Sequence, residues 1–149
     1  MSVSAARFAA ILFTALALGP ALGHLLELPN KIELSRDDYL TVQQIYRGWA
    51  LLGFVVVAAL VSTIALAIIV RHRVRELTLA VVALACIVGT QILFWIFTYP
   101  ANRETKNWTL LPEHWMALRA QWEYSHGASA VLNLIALIAL ISCALVRQK

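Results

Sequence analysis

Two short stretches of the chain set an imidazole and a carboxylate one helical turn apart. "GHLLEL" carries His24 and Glu27, and "WEYSHGA" carries Glu123 and His126 in the reverse order. On a helix, residues at i and i+3 share a face. If the two helices run antiparallel, H-x-x-E leaving one and E-x-x-H entering the other meet at one depth. Each then offers one imidazole and one carboxylate toward a common point. Such a set can bind a single iron, manganese, zinc or copper ion. Alternatively His24 and His126 can serve as axial ligands of a haem held between helices. With no cofactor at all, a carboxylate beside an imidazole fixes its tautomer and raises its basicity, which makes a general base. His24, Glu27, Glu123 and His126 are therefore both the candidate catalytic residues and the candidate metal ligands. The competing reading is structural, each pair being a polar latch at a helix end, although ionisable groups beside a bilayer are costly and often functional.

A four-helix di-metal centre also takes a carboxylate from each of the other two helices. The facing positions here bring Gln43, Gln44, Tyr46, Gln91, Trp95 and Tyr99, with no Asp or Glu among them. One metal ion is the most this count supports.

The elements that must position these residues are membrane helices. The 149-residue chain is 61% hydrophobic and 13% charged, well below the roughly 25% charge of soluble domains. About 20 apolar residues cross a bilayer, and four stretches free of Asp, Glu, Lys and Arg have that length: 8–26, 48–70, 77–99 and 127–146. The expected fold is an all-α integral membrane protein, a single domain over 1–149 forming a four-transmembrane-helix up-down bundle with helical outer loops. The lipid bilayer is the first partner implied. The net charge of +4 comes with no basic stripe interleaved with aromatics, so nucleic acid is not expected as a partner. Cys86 and Cys143 both sit in apolar runs, where free thiols pack as small hydrophobes.

Orientation follows from the loops. The short link between the second and third spans holds Arg71, Arg73 and Arg75, while Arg7 and the pair Arg147 and Lys149 flank the termini. In the two long connections, seven carboxylates outweigh Lys31, Arg36, Arg47, Arg103, Lys106 and Arg119. The positive-inside rule then gives a multi-pass protein of the inner (plasma) membrane with both termini cytoplasmic and the His/Glu pairs facing outward. A signal-peptide reading of the first span is disfavoured, because three remaining spans would put the basic C-terminus on the wrong side.

Two further expectations concern the outer segments. Ser35 is placed to cap a helix with Asp37 and Asp38 in its first turn, running on into the second span. Pro112 followed by Trp115, Leu118 and Trp122 marks an amphipathic stretch, and the region 107–125 would lie across the outer mouth as a lid. All five tryptophans lie toward this end. An interfacial belt explains Trp and Tyr at helix ends, yet the opposite interface has neither. A lopsided belt is also what a flat, apolar pocket produces, lined by Trp95, Tyr99, Trp108, Trp115 and Trp122 and suited to a lipophilic small molecule. Asn133, two turns beyond His126, would line its floor.

The outer segments "GHLLELPNKIELSRDDYLTVQQIYRGWALLG" and "FWIFTYPANRETKNWTLLPEHWMALRAQWEYSHGASA" resemble a bacterial family of small four-span membrane proteins of unknown function. That family is grouped with the fungal anthrone oxygenases. The resemblance rests on "HLLELP", on "YPAN" at 99–102, on Asn107-Trp108 and on "WEYSH", and covers about half the chain. It implies oxidation of a polycyclic anthrone to an anthraquinone by molecular oxygen, with no established metal. It also singles out His24, Asn102, Trp108, Trp115, Arg119 and His126. An anthrone is acidic at its methylene, so a base can form a carbanion that reacts with oxygen directly, while aromatic walls hold the flat substrate. "HLLELP" and "WEYSH" belong to the bacterial branch, so the fungal substrate does not carry over with them.

Overall fold

A computed structural model describes residues 2–146. Arg147 and Lys149, used above for orientation, lie outside the described residues. The first helix, α1 (Val3–Lys31), starts at Ser2, whose hydroxyl accepts the Ala5 amide at 3.2 Å. It continues through Pro20 and Pro29, past the end of the apolar stretch, to Lys31. Next, α2 (Arg36–Gln43) is capped by Ser35 and opens with Asp37 and Asp38, whose charges complement the helix N-terminus.

That helix does not run on into the second span. Two 3₁₀ turns, Gln44–Tyr46 and Trp49–Leu51, intervene, with Gly48 between them at φ +90°. Glycine takes this left-handed conformation without steric cost, so the chain can turn back toward the bundle there. Helix α3 (Leu52–Ile69) follows, then a tight turn and α4 (Val74–Leu93). A π-turn, Phe94–Thr98, leads into α5 (Tyr99–Glu104) without a break. The last helix, α6 (Trp115–Leu145), is 31 residues long.

Four helical stretches are long and apolar enough to cross a membrane: Val3–Lys31, Trp49–Ile69, Val74–Glu104 and Trp115–Leu145. No strand occurs among the described residues. The packing forms a closed ring, in which α1 lies against α3 and α6, and α4 against α3 and α6. Its core is built from small side chains, including Ala6, Ala10, Ala59, Ala80, Ala83, Ala136 and Ala139 around Leu66, Ile87 and Leu140. Small residues let helix backbones approach closely, which drives association where lipid cancels the hydrophobic advantage. Phe8, Phe54 and Ile138 point outward with more than half their surface uncovered, as a bilayer would cover them.

The region 107–125, expected to lie across the outer mouth as a lid, is continuous with the last helix. From Trp115 onward that region is the first part of α6 itself, because no breaker stands between Trp115 and the apolar run; Gly127 continues the helix and faces Leu25 and Leu28 of α1. Helices α1 and α6 thus project together past the apolar layer. A second core caps that end, formed by Tyr39, Ala101, Trp108, Leu111, Leu118 and Trp122.

Candidate functional site

The projecting ends of α1 and α6 bring the four candidate residues together in two layers. Because the His/Glu order is mirrored and the helices are antiparallel, like meets like. In the deeper layer the His24 and His126 rings stack with centroids 4.3 Å apart and planes 25° apart. One turn toward the loops, Glu27 and Glu123 meet a residue that sequence reading left in a connecting loop. Lys31 is 4% exposed, and its ammonium lies 3.1 Å from Glu123 Oε1 and 3.6 Å from Glu27 Oε2. Neither His–Glu pair is hydrogen-bonded within itself among the described residues.

The carboxylate layer is tightly bonded. Lys31 Nζ donates to the Tyr46 hydroxyl at 2.8 Å, and Tyr46 in turn donates to Glu27 Oε2. The Tyr39 hydroxyl donates to Glu123 Oε1 at 2.9 Å and accepts from Gln43 Nε2 at 2.6 Å. The ammonium also sits over aromatic faces, 4.4 Å from the Tyr46 ring and 4.8 Å from Trp122, a geometry that adds cation–π attraction. Burial, reinforced by the neighbouring Glu123 carboxylate, pushes the Tyr39 phenol well above its ordinary range. Burial and the bond to Glu27 do the same for Tyr46. Both hydroxyls therefore stay protonated and act as donors.

The imidazole layer makes no hydrogen bond among the described residues. His24 Nδ1 is buried without a partner, and no hydrogen bond joins either ring to a described group. What surrounds them is aromatic: Trp122 stands edge-on to His126 at 4.1 Å and to His24 at 5.0 Å. Tyr46 and Trp49 flank His24 at 4.6 and 5.7 Å. Trp49 was not among the expected lining residues.

Of the expected aromatic and polar lining, part converges and part does not. Asn102 accepts from both indoles, Trp108 Nε1 at 3.1 Å and Trp122 Nε1 at 2.8 Å, and so ties α5 to α6. Arg119 donates to the Leu34 carbonyl at 2.8 Å, with its guanidinium 4.6 Å from the Trp115 ring, so it fastens the α1–α2 link. Trp95 and Tyr99 pack against each other with tilted rings 5.0 Å apart, 60% and 42% exposed, and neither ring contacts His24 or His126. Trp95 lies within, and Tyr99 directly follows, the π-turn. Its Phe97 carbonyl accepts from Gln121 Nε2 at 2.7 Å.

The segment before α6 is strained. Lys106, Asn107 and Trp108 take φ of 49°, 55° and 60° in succession, each costing roughly 1–2 kcal/mol for an L-residue. Trp108 is held in place by its amide bond to Thr105 Oγ1 at 3.1 Å and by Gln44 Nε2 on its carbonyl at 2.9 Å.

Two of the cofactor expectations find no geometry. Among the described residues, no group of three or more His, Cys, Asp or Glu side chains is placed to hold a metal ion; Glu123 Oε1 is taken by Lys31 and Tyr39, and the imidazoles stack rather than converge. Haem ligation by His24 and His126 needs the macrocycle between the rings, and their face-to-face contact at 4.3 Å leaves no such gap. Among the hollows that open on the surface are one of about 350 Å³ beside Leu40 and Gln44 and one of about 430 Å³ beside Phe97 and Tyr124. Neither is lined by His24 or His126.

Lys31, Tyr39 and Gln43 are the residues that sequence reasoning left out of the site. One signal was available for the first: Glu27 and Lys31 are four apart, a pair that shares a helix face if α1 runs on. Tyr39 and Gln43 carry the same spacing on α2. No family model, no functionally described protein and no solved structure matches this chain.

Proposed function

We propose that the chain is a multi-pass inner-membrane oxidoreductase that oxidises a lipophilic aromatic substrate with molecular oxygen, using the His24–His126 pair as its base at the outward-facing end. The observation that carries this reading is the contrast between the two layers. Around Lys31 the hydroxyls of Tyr39 and Tyr46 and one oxygen of each carboxylate are bonded to neighbours, whereas the imidazoles are bordered by aromatic rings and make no hydrogen bond among the described residues. Unengaged imidazole in an aromatic setting can accept a proton from a flat, apolar carbon acid. The resemblance to the anthrone oxygenases suggests the class. One methylene proton passes to an imidazole, the carbanion's electron pair forms a carbon–oxygen bond to O₂, and loss of water leaves the quinone. The balance is anthrone plus O₂ to anthraquinone plus water, with no added reductant.

The test is to incubate detergent-extracted protein with an anthrone under oxygen and follow quinone absorbance together with oxygen uptake. Turnover above the protein-free rate, lost in His24→Phe and His126→Phe, supports the reading. A Soret band or one bound transition metal per chain in the extracted protein would replace the cofactor-free base with haem or metal redox chemistry.

A second reading, a non-catalytic membrane component, is favoured by one observation: the hollows beside Gln44 and beside Tyr124 are not lined by His24 or His126. The polar end would then serve to lock α1 to α6. In that case no quinone forms, and the histidine variants alter only thermal unfolding.

A further inference from the structure

The carboxylate layer has a topology that stability alone does not require. Glu123 is fully buried, and its Oε2 has no partner. From its Oε1 a chain of contacts leads through the Lys31 ammonium at 3.1 Å and the Tyr46 hydroxyl at 2.8 Å, and from there to Glu27. The Glu27 side chain is 41% exposed. The direct Lys31–Glu27 separation of 3.6 Å is beyond hydrogen-bond reach, so the phenol is the bridge. The other arm from Glu123 runs through Tyr39 and stops at Gln43, which is 4% exposed. Arg119, one turn away on α6, is turned to the Leu34 carbonyl. Among the described residues, one of these arms reaches solvent and the other is closed.

We infer that Glu123, Lys31, Tyr46 and Glu27 form a proton-transfer path linking the buried Glu123 carboxylate to the solvent. A proton arriving on Glu123 is taken up by Lys31 as Lys31 releases one of its own to the Tyr46 oxygen. Tyr46 passes its hydroxyl proton to Glu27. At the end Glu123 is a carboxylate, Lys31 is again an ammonium, Tyr46 is again a phenol and Glu27 is protonated. One proton has moved and no other bond has changed. The groups facing this path are His24 and His126 below it, Tyr39 and Gln43 from α2, and Arg119 on α6. None of them makes a hydrogen bond that carries the path to the surface among the described residues. Lys31 and Tyr46 act here as relay groups, and the path operates whether or not the imidazoles catalyse an oxidation.

The experiment uses the full chain in detergent micelles with ¹⁵N-labelled lysine, following hydrogen exchange of the Lys31 ammonium by NMR. Lys31 is one of three lysines, so its signal is assigned by Lys106→Arg and Lys149→Arg. If the path carries protons, Tyr46→Phe slows exchange by about a hundredfold, the scale contributed by a positioned acid–base group. Glu27→Gln, which keeps an acceptor but cannot take the proton, slows it as well. If Tyr46 merely covers the ammonium, Tyr46→Phe leaves exchange unchanged or speeds it by admitting water, and either result overturns the inference. Because no substrate is involved, failure here is distinct from failure of the oxidase reading.

Discussion

The Lys31 ammonium lies 3.1 Å from the Glu123 carboxylate with both side chains sealed from solvent, and this contact joins the last turn of α1 to the third turn of α6. Taking two charges out of water is expensive, and the pair is tolerable because tyrosine hydroxyls and aromatic faces complete its surroundings. Lys31→Met alone leaves a buried carboxylate without compensation and is expected to cost about 3–5 kcal/mol. The double variant Lys31→Met/Glu123→Leu should recover most of that loss. Reversible unfolding in mixed micelles measures both, and equal loss in the single and double variants would contradict the pairing.

The stacked imidazoles should behave in the opposite way. Since they make no hydrogen bond among the described residues, His126→Phe keeps the aromatic packing and is expected to cost less than about 1.5 kcal/mol, the usual limit for shape-preserving exchanges. Quinone formation, in contrast, should vanish. A large stability loss together with no activity in the wild type would assign the pair to packing.

Asn102 serves two indoles with one oxygen. Asn102→Leu strands both N–H groups, at roughly 1–3 kcal/mol for each buried donor left unmade. Tryptophan emission should shift as α5 loosens from α6. Asn102→Asp retains the acceptor and should hold the native spectrum.

The tyrosines give the chain an alkaline limit. The phenols of Tyr39 and Tyr46 are raised above their ordinary range by burial and by the adjacent carboxylates. A folded-state value above the unfolded one means that their stabilisation is fully present below about pH 10, the unfolded phenol value, and is lost as pH rises beyond it. Tyrosinate absorbance from these two side chains should therefore appear together with unfolding. Tyr39→Phe should remove part of that coupling, and early ionisation of both phenols in the folded protein would show that the layer is open to water.

The left-handed run at Lys106–Trp108 predicts an unusual stabilising change. Lys106→Gly removes a steric cost of roughly 1–2 kcal/mol, offset by about 0.4–1 kcal/mol of added freedom in the unfolded chain. A small net rise in unfolding temperature is expected. A fall would mean that the Lys106 side chain contributes contacts of its own.

The four helices long and apolar enough to cross a membrane, and the gathering of polar and aromatic residues at one end, were legible in the sequence, because the length of such stretches and the exclusion of charge from them follow from bilayer thickness and solvation cost. The Ser35 cap was legible too, since it depends on neighbours three residues apart. The mirrored pairs H-x-x-E and E-x-x-H predicted that α1 and α6 would meet. They did not predict the sorting into an imidazole layer and a carboxylate layer, which depends on how far each helix projects and how it is rotated against the other.

Helix ends were the least legible feature. "LPNKIE" reads as a loop, with Pro29 and Asn30 as breakers, yet α1 continues to Lys31. Packing of α1 against α6 outweighs the local preference. For the same reason α6 begins at Trp115, well before its apolar run, and the expected lid becomes the shaft of a helix. The sequence by itself determined which segments are long and apolar enough to cross a membrane and which residue types collect at their ends. Only the tertiary structure decided that Lys31 is buried there and that it faces Glu123. The choice of partner for a buried charge is made across helices, by depth and rotation, which no spacing along one helix encodes.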